Sequence, residues 1–112
     1  MKPIQIVIHD HSGEELYSEL SHLSSMIPIR QERRGNAIGI SDGLIRPVII
    51  IGKYGRWNKL AGLRPDFWIA GDDDCRAMLK MSATNVGGVE LNRIEDVLKI
   101  VEILRVEGEG NG

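Results

Sequence analysis

A β-branched run that breaks straight into a capped amphipathic helix constrains this chain more than any other feature. Residues 4–8 read Ile-Gln-Ile-Val-Ile between Pro3 and the polar cluster His9, Asp10, His11 and Ser12. That pattern predicts a buried, central strand. Ser12 followed three residues later by Glu15 is a capping box. Leu16, Leu20, Leu23 and Ile27 then recur on one helical face until Pro28 stops it. The chain closes in the same way, with Asn92 and Glu95 as an Asn-x-x-Glu cap and Ile94, Val97, Leu98, Val101 and Leu104 as an apolar stripe. Two such stripes need a sheet to lie on.

The segments between supply that sheet. Gly35-Asn36 predicts a tight turn joining the basic stretch 29–34 to residues 37–41 as an antiparallel hairpin. Asp42-Gly43 marks a second turn, and residues 48–51 read as a core strand after the interruption at Arg46 and Pro47. Residues 52–65 mix Gly, Lys, Arg, Tyr and Trp without an apolar period, as an exposed functional loop would, with one helical turn around 57–63. Residues 67–70 are a compact strand candidate followed by Asp72, Asp73 and Asp74. Residues 75–83 decide the topology. Their composition favours helix, but alternation of Cys75, Ala77, Leu79, Met81 and Ala83 with polar or long side chains fits period two slightly better. A strand there makes 84–88 a hairpin loop; a helix there is capped by Asp72 or Asp73 and gives the sheet parallel character.

The expected fold is α/β, with α+β as the alternative. It consists of a two-layer mixed β-sheet of about four to six strands packed by a helix from the N-terminal half and by the C-terminal helix. At 112 residues, 42% hydrophobic and 27% charged, the chain suits one globular domain over residues 1–107, with 108–112 a flexible Gly/Glu tail. No apolar run approaches the roughly twenty residues that span a bilayer, and residues 4–8 are too short for a signal-peptide core, so a cytoplasmic location without membrane contact is expected. Cys75 is the sole cysteine, which excludes an internal disulfide and a Cys-rich zinc site.

Charge is divided unevenly along the chain. Residues 30–64 carry eight Lys or Arg against two acids, and the remainder six against fourteen, or +6 beside −8 for the net −2. A divide of this size bears on partners and self-association. The candidate binding surface is Lys53, Tyr54, Arg56, Trp57 and Lys59, reinforced by Arg30, Arg33 and Arg34. Cations attract phosphates or acidic side chains, while Tyr and Trp can stack on bases or anchor a protein interface. Neither a phosphate-binding glycine loop nor a Ser or Cys nucleophile motif occurs. His9, Asp10 and His11 end the strand as a polar loop before the helix, and their convergence on a transition metal is not expected.

An apolar strand running into Asp72-Asp73-Asp74 resembles the Asp-x-Asp motif of Toprim domains, with Asp72 and Asp74 in the matching places. The resemblance covers about ten residues. It implies metal-dependent strand chemistry on nucleic acid; independently, Asp10 at the end of the first strand could meet Asp72, Asp73 and Asp74 at the strand carboxyl ends, where clustered carboxylates suit Mg²⁺. The family ends its first strand in Glu, where this chain has His9-Asp10-His11. The leading expectation needs no cofactor: a small non-catalytic module that binds itself or an acidic protein surface through the basic segment. A nucleic-acid binder, with Mg²⁺ at Asp10, Asp72 and Asp74 in its enzymatic form, is the alternative.

Overall fold

The structure, a computed structural model, describes residues 2–56, 60, 62–86 and 88–106, except for the side chains of 82–86. The expected tail at 108–112, Trp57 and Lys59 lie outside the described residues. Nine elements follow in chain order: β1 (Ile4–Asp10), α1 (Gly13–Met26), β2 (Glu32–Arg34), β3 (Ala37–Ile40), β4 (Val48–Tyr54), β5 (Phe67–Ile69), α2 (Asp73–Val86), β6 (Val89–Glu90) and α3 (Glu95–Leu104). They form a mixed α/β fold with one six-stranded sheet in the order β2-β3-β4-β1-β5-β6. β1 is central and parallel to both neighbours, pairing Val7 with Ile51 on one side and with Trp68 on the other. β6 continues the parallel half beyond β5, while β2 and β3 form an antiparallel hairpin on β4. The two-residue turn carries positive φ at Gly35 alone, φ 57°, the signature of a type II′ connection with glycine first.

Residues 75–83 are helical, so the period-two reading is corrected. Asp72 decides the matter locally, because its Oδ1 accepts the Cys75 N–H at 2.7 Å and its carbonyl accepts Arg76 N–H at 2.9 Å. An N-cap side chain satisfies one of the amides that a helix start leaves open. Cys75 and Leu79, four apart, are both fully buried. Ser12 caps α1 through Glu15 N–H as the sequence predicts. At α3 the expected Asn92 cap is absent. Asp96 Oδ2 reaches back to the N–H groups of Asn92 and Arg93 at 3.3 and 3.1 Å.

Alternation along β1 divides the core. Ile4, Ile6 and Ile8 face one way, where Leu16, Leu20 and Leu23 of α1 and Val97 and Val101 of α3 cover them. Val7 faces the other way, into a smaller cluster with Leu60, Trp68, Cys75 and Leu79. α2 thus adds a layer on the face opposite the first and last helices. Among the described residues its apolar side packs on Val7 of β1 and Trp68 of β5, and Arg76 reaches Glu90 of β6 at 2.8 Å. Ile49 and Ile51 of β4, in register with Gln5 and Val7, remain half-buried and belong to neither cluster among the described residues.

Gly52 lies where α1 presses closest on β4. A Cβ there would stand 2.7 Å from Leu20 Cδ1, 3.1 Å from Leu16 Cδ2 and 3.2 Å from the Asn36 carbonyl. Gly52→Ala therefore overpacks the core and should cost about 1–3 kcal/mol in urea denaturation. Gly39→Ala, whose added methyl meets nothing closer than 3.8 Å, should be within about 0.5 kcal/mol of the parent.

Candidate functional site

The carboxyl ends of β1, β4 and β5 converge, as open α/β sheets require of a ligand crevice. The junction is locked by His9, which is 1% exposed. Its Nδ1 accepts the Gly71 N–H at 3.0 Å, which leaves the proton on Nε2, 2.8 Å from the Gly55 carbonyl. One imidazole therefore ties the end of β1 to the loops after β5 and β4. Gly71 is required there, because a Cβ would lie 2.8 Å from Asp10 Cα and 3.0 Å from the His9 carbonyl.

His9, Asp72 and Cys75 bring ligand atoms within 4.8 Å of one another, with Cys75 Sγ 3.2 Å from His9 Nε2. Each donor atom already has a partner. Burial, followed by the neighbouring Asp72 carboxylate, pushes the Cys75 thiol up to about 12, so it stays protonated. The Nε2 proton is committed to Gly55. Asp72 Oδ1 is taken by the helix cap, and the Cys75 N–H it accepts holds its carboxyl below the usual range. Its Oδ2 meets His11 Nδ1 at 3.2 Å. His9 and His11 are two positions apart and share the parity of Val7, so both rings lie on the α2 side of the sheet, with centroids 6.2 Å apart.

Asp10 goes the other way. It has the same parity as Ile6 and Ile8 and so faces α1, where its carboxylate accepts the Ser12 N–H at 3.3 Å and hydrogen bonds from Glu19 and Glu15. Burial opposes its ionisation, but those bonds prevail and lower its pKa. Burial first, and then the Asp10 contact, push Glu19 up to about 8, and the Asp10 contact raises Glu15. Glu19 thus carries the shared proton. The structure does not bring Asp10 together with Asp72 and Asp74, which border a separate cavity of about 500 Å³ with His11, Gly55 and Arg56.

Of the expected basic surface, four members gather. Arg34, Lys53, Tyr54 and Arg56 line a cleft of about 700 Å³ at the carboxyl end of β4 with Ala37, Ile51 and Gly52; Ile51 and Lys53 face the α2 side, whereas Gly52 and Tyr54 face α1. Among the described residues none of these three cations is in an ion pair. Tyr54 is half-exposed, its ring seated over Gly13. Arg30 and Arg33 do not join them. Arg30 lies 3.7 Å from Asp42 at the other end of the hairpin. Arg33 faces α1, bonding Ser21 Oγ at 3.1 Å with its guanidinium 5.0 Å over the Tyr17 ring. The reason is parity, since consecutive residues of β2 point to opposite faces.

No protein-family model, curated protein or solved structure matches this chain. Sequence reasoning missed the His9 lock, for which the only signal was a histidine ending a β-branched apolar run. It also missed the Asp10–Glu19 pair, for which the signal was Glu15 and Glu19 one turn apart behind Asp10.

Two measurements follow from these groups. Cys75 should resist iodoacetamide at pH 8 in the native protein and react fully in denaturant, because only the thiolate attacks. Glu19 has a folded-state pKa raised above its ordinary 4.5, so it costs nothing at low pH and destabilises the fold progressively between about 4.5 and 8. Glu19→Gln removes that loss. Its Tm relative to the parent should rise between pH 5 and pH 9, by about 4 °C for a solvent-screened effect of about 1 kcal/mol.

Proposed function

We propose that this protein is a non-catalytic binding module that takes an anionic partner on the open sheet face, at Arg34, Lys53 and Arg56. The observation that carries the reading is that all three cations, none ion-paired among the described residues, surround one apolar-floored cleft. Lys and Arg on a typical surface gain little from isolated pairing, but three around one concavity focus a local positive field. Support also comes from the arrangement of the opposite face. Glu14, Glu15 and Glu19 of α1 and Glu95, Asp96 and Glu102 of α3 lie beyond the sheet, so these six acids are kept off the cleft. A reading without strand chemistry is preferred because the Asp10 carboxylate is engaged with α1 rather than with Asp72.

Self-association is the version of this reading that needs no other molecule, and static light scattering at low and high salt reports on it. The anionic-partner reading is tested on immobilised heparin at low salt. A protein of net charge −2 is retained there only if its cations are concentrated. Wild type should bind and elute with salt. Lys53→Glu with Arg56→Glu should pass through, whereas the same charge change at Lys99 and Arg105 on the α3 side should leave elution unaltered. Passage of wild type at low salt, or equal effects of the two pairs, overturns the reading.

A further inference from the structure

β2 closes one edge of the sheet, and no strand lies beyond it among the described residues. Along an antiparallel strand, backbone groups of successive residues alternate between one neighbour and the other side. Arg34 and Ala37 flank the two-residue turn, so Arg34 and, two positions back, Glu32 direct their backbone groups at Ala37 and Gly39, with which they pair. The Asn36 carbonyl accepts the Gly52 N–H at 2.7 Å, which agrees with that phase, because the even-numbered residues of β3 then bond to β4. Arg33 therefore turns its N–H and carbonyl outward. Neither meets a backbone partner among the described residues. An edge of this kind is a template for another strand. The opposite edge offers less, since β6 is two residues long and its Glu90 is held by Arg76 at 2.8 Å.

We propose that β2 pairs antiparallel with β2 of a second copy of this chain about a two-fold axis at Arg33, joining two six-stranded sheets edge to edge. Charge selects both the occupant and the register. Glu32 and Arg34 are exposed and stand two positions apart, so they project to the same face, opposite to α1. Neither is in an ion pair among the described residues. The two-fold sets Glu32 opposite Arg34 of the partner subunit, and Arg34 opposite Glu32 of the partner subunit. Both pairs fall at the positions without cross-strand hydrogen bonds, where facing side chains are nearest. A slip of two residues sets Glu32 against Glu32, or Arg34 against Arg34, and a slip of one turns the facing residues to opposite faces. An edge of a single sign would repel its own copy; this one is its own complement. The two Arg33 side chains meet on the α1 side, but each is drawn back over its own helix, 3.1 Å from Ser21 Oγ and 5.0 Å over the Tyr17 ring. Three paired residues a side bury less than the roughly 1,200 Å² of a standard interface, so the dimer is weak and reversible. It uses neither Lys53 nor Arg56 and does not rest on the anionic-partner reading.

Sedimentation velocity of the full chain at low salt, from about 20 µM to about 1 mM, tests the pairing over the range of a weak interface. Wild type should pass from monomer to dimer, and added salt should weaken the dimer. Because the axis makes each contact twice, Glu32→Arg alone or Arg34→Glu alone turns two attractions into two repulsions and should raise the dissociation constant at least about tenfold. Glu32→Arg with Arg34→Glu leaves the net charge unchanged and restores opposite charges across the axis. It should return the constant to within about threefold of wild type, a non-additivity that only facing residues show. Circular dichroism melts check that each variant is folded, and the Arg33 amide resonance of wild type should shift as concentration rises. Lys53→Glu with Arg56→Glu should lose heparin retention and keep the dimer, so the two readings fail separately. A monomer throughout, a double swap no better than either single reversal, or a dimer lost with Lys53 and Arg56 overturns the pairing while leaving the anionic-partner reading standing.

Discussion

β1 is enclosed on all four sides, by parallel strands along both edges and by helices on both faces, and the remaining features follow from that enclosure. A strand so placed cannot carry a polar side chain into the interior unless every polar atom finds a partner. His9 is the point at which β1 meets this demand. Its two nitrogens are satisfied by Gly71 N–H and the Gly55 carbonyl, groups from loops that would otherwise be free to separate. The same residue thus terminates the apolar run and fixes the loops that surround the carboxyl edge. The close approach of Gly71 to Asp10 is the steric counterpart of that bond.

Coverage of the sheet is asymmetric, and the asymmetry sorts the charges. Two helices cover one face from β4 across to β5, whereas α2 covers only part of the other. The segment with the positive balance, residues 30–64, builds the strands beside the uncovered region. An imbalance along the chain is converted in this way into an imbalance between faces. The conversion is incomplete for a simple geometric reason: each strand sends alternate residues to opposite sides, so Arg33 is spent on Tyr17 and Ser21 while Arg34 stays on the open face.

Much of the fold was legible because it rests on local signals. The run at residues 4–8, the Ser12 cap, the Gly35 turn and the apolar stripe of α3 each carry their own period or turn chemistry, and each appears where those signals put it. The segment 75–83 was less legible because Ala and Met fit either period. What tipped it was Asp72, whose side chain is a good helix cap and an equally ordinary turn residue until its partner is seen. The site was legible only as composition. Lys53, Tyr54 and Arg56 are near one another in sequence and remain so in space. Lys2, Arg46 and Arg64 line one cavity only through the pairing of β1 with β4 and other tertiary placement that no local pattern encodes. A visible clue was that β4 reads Val-Ile-Ile-Ile, apolar on both faces, although the sheet has too few helices to cover both faces of every strand.

Net charge and local charge then act over different distances. At physiological ionic strength the Debye length is about 8 Å, comparable to the distance between stacked layers, which is about 10 Å. The carboxylates of α1 and α3 lie a full layer beyond the sheet from the cleft, so their field there is screened, whereas cations lining the cleft act at contact distance. An acidic protein can therefore hold an anion on this face, with an approach that is not accelerated from afar. The binding surface is set by which strands the helices leave uncovered, and the sign of the whole molecule is a poor guide to it.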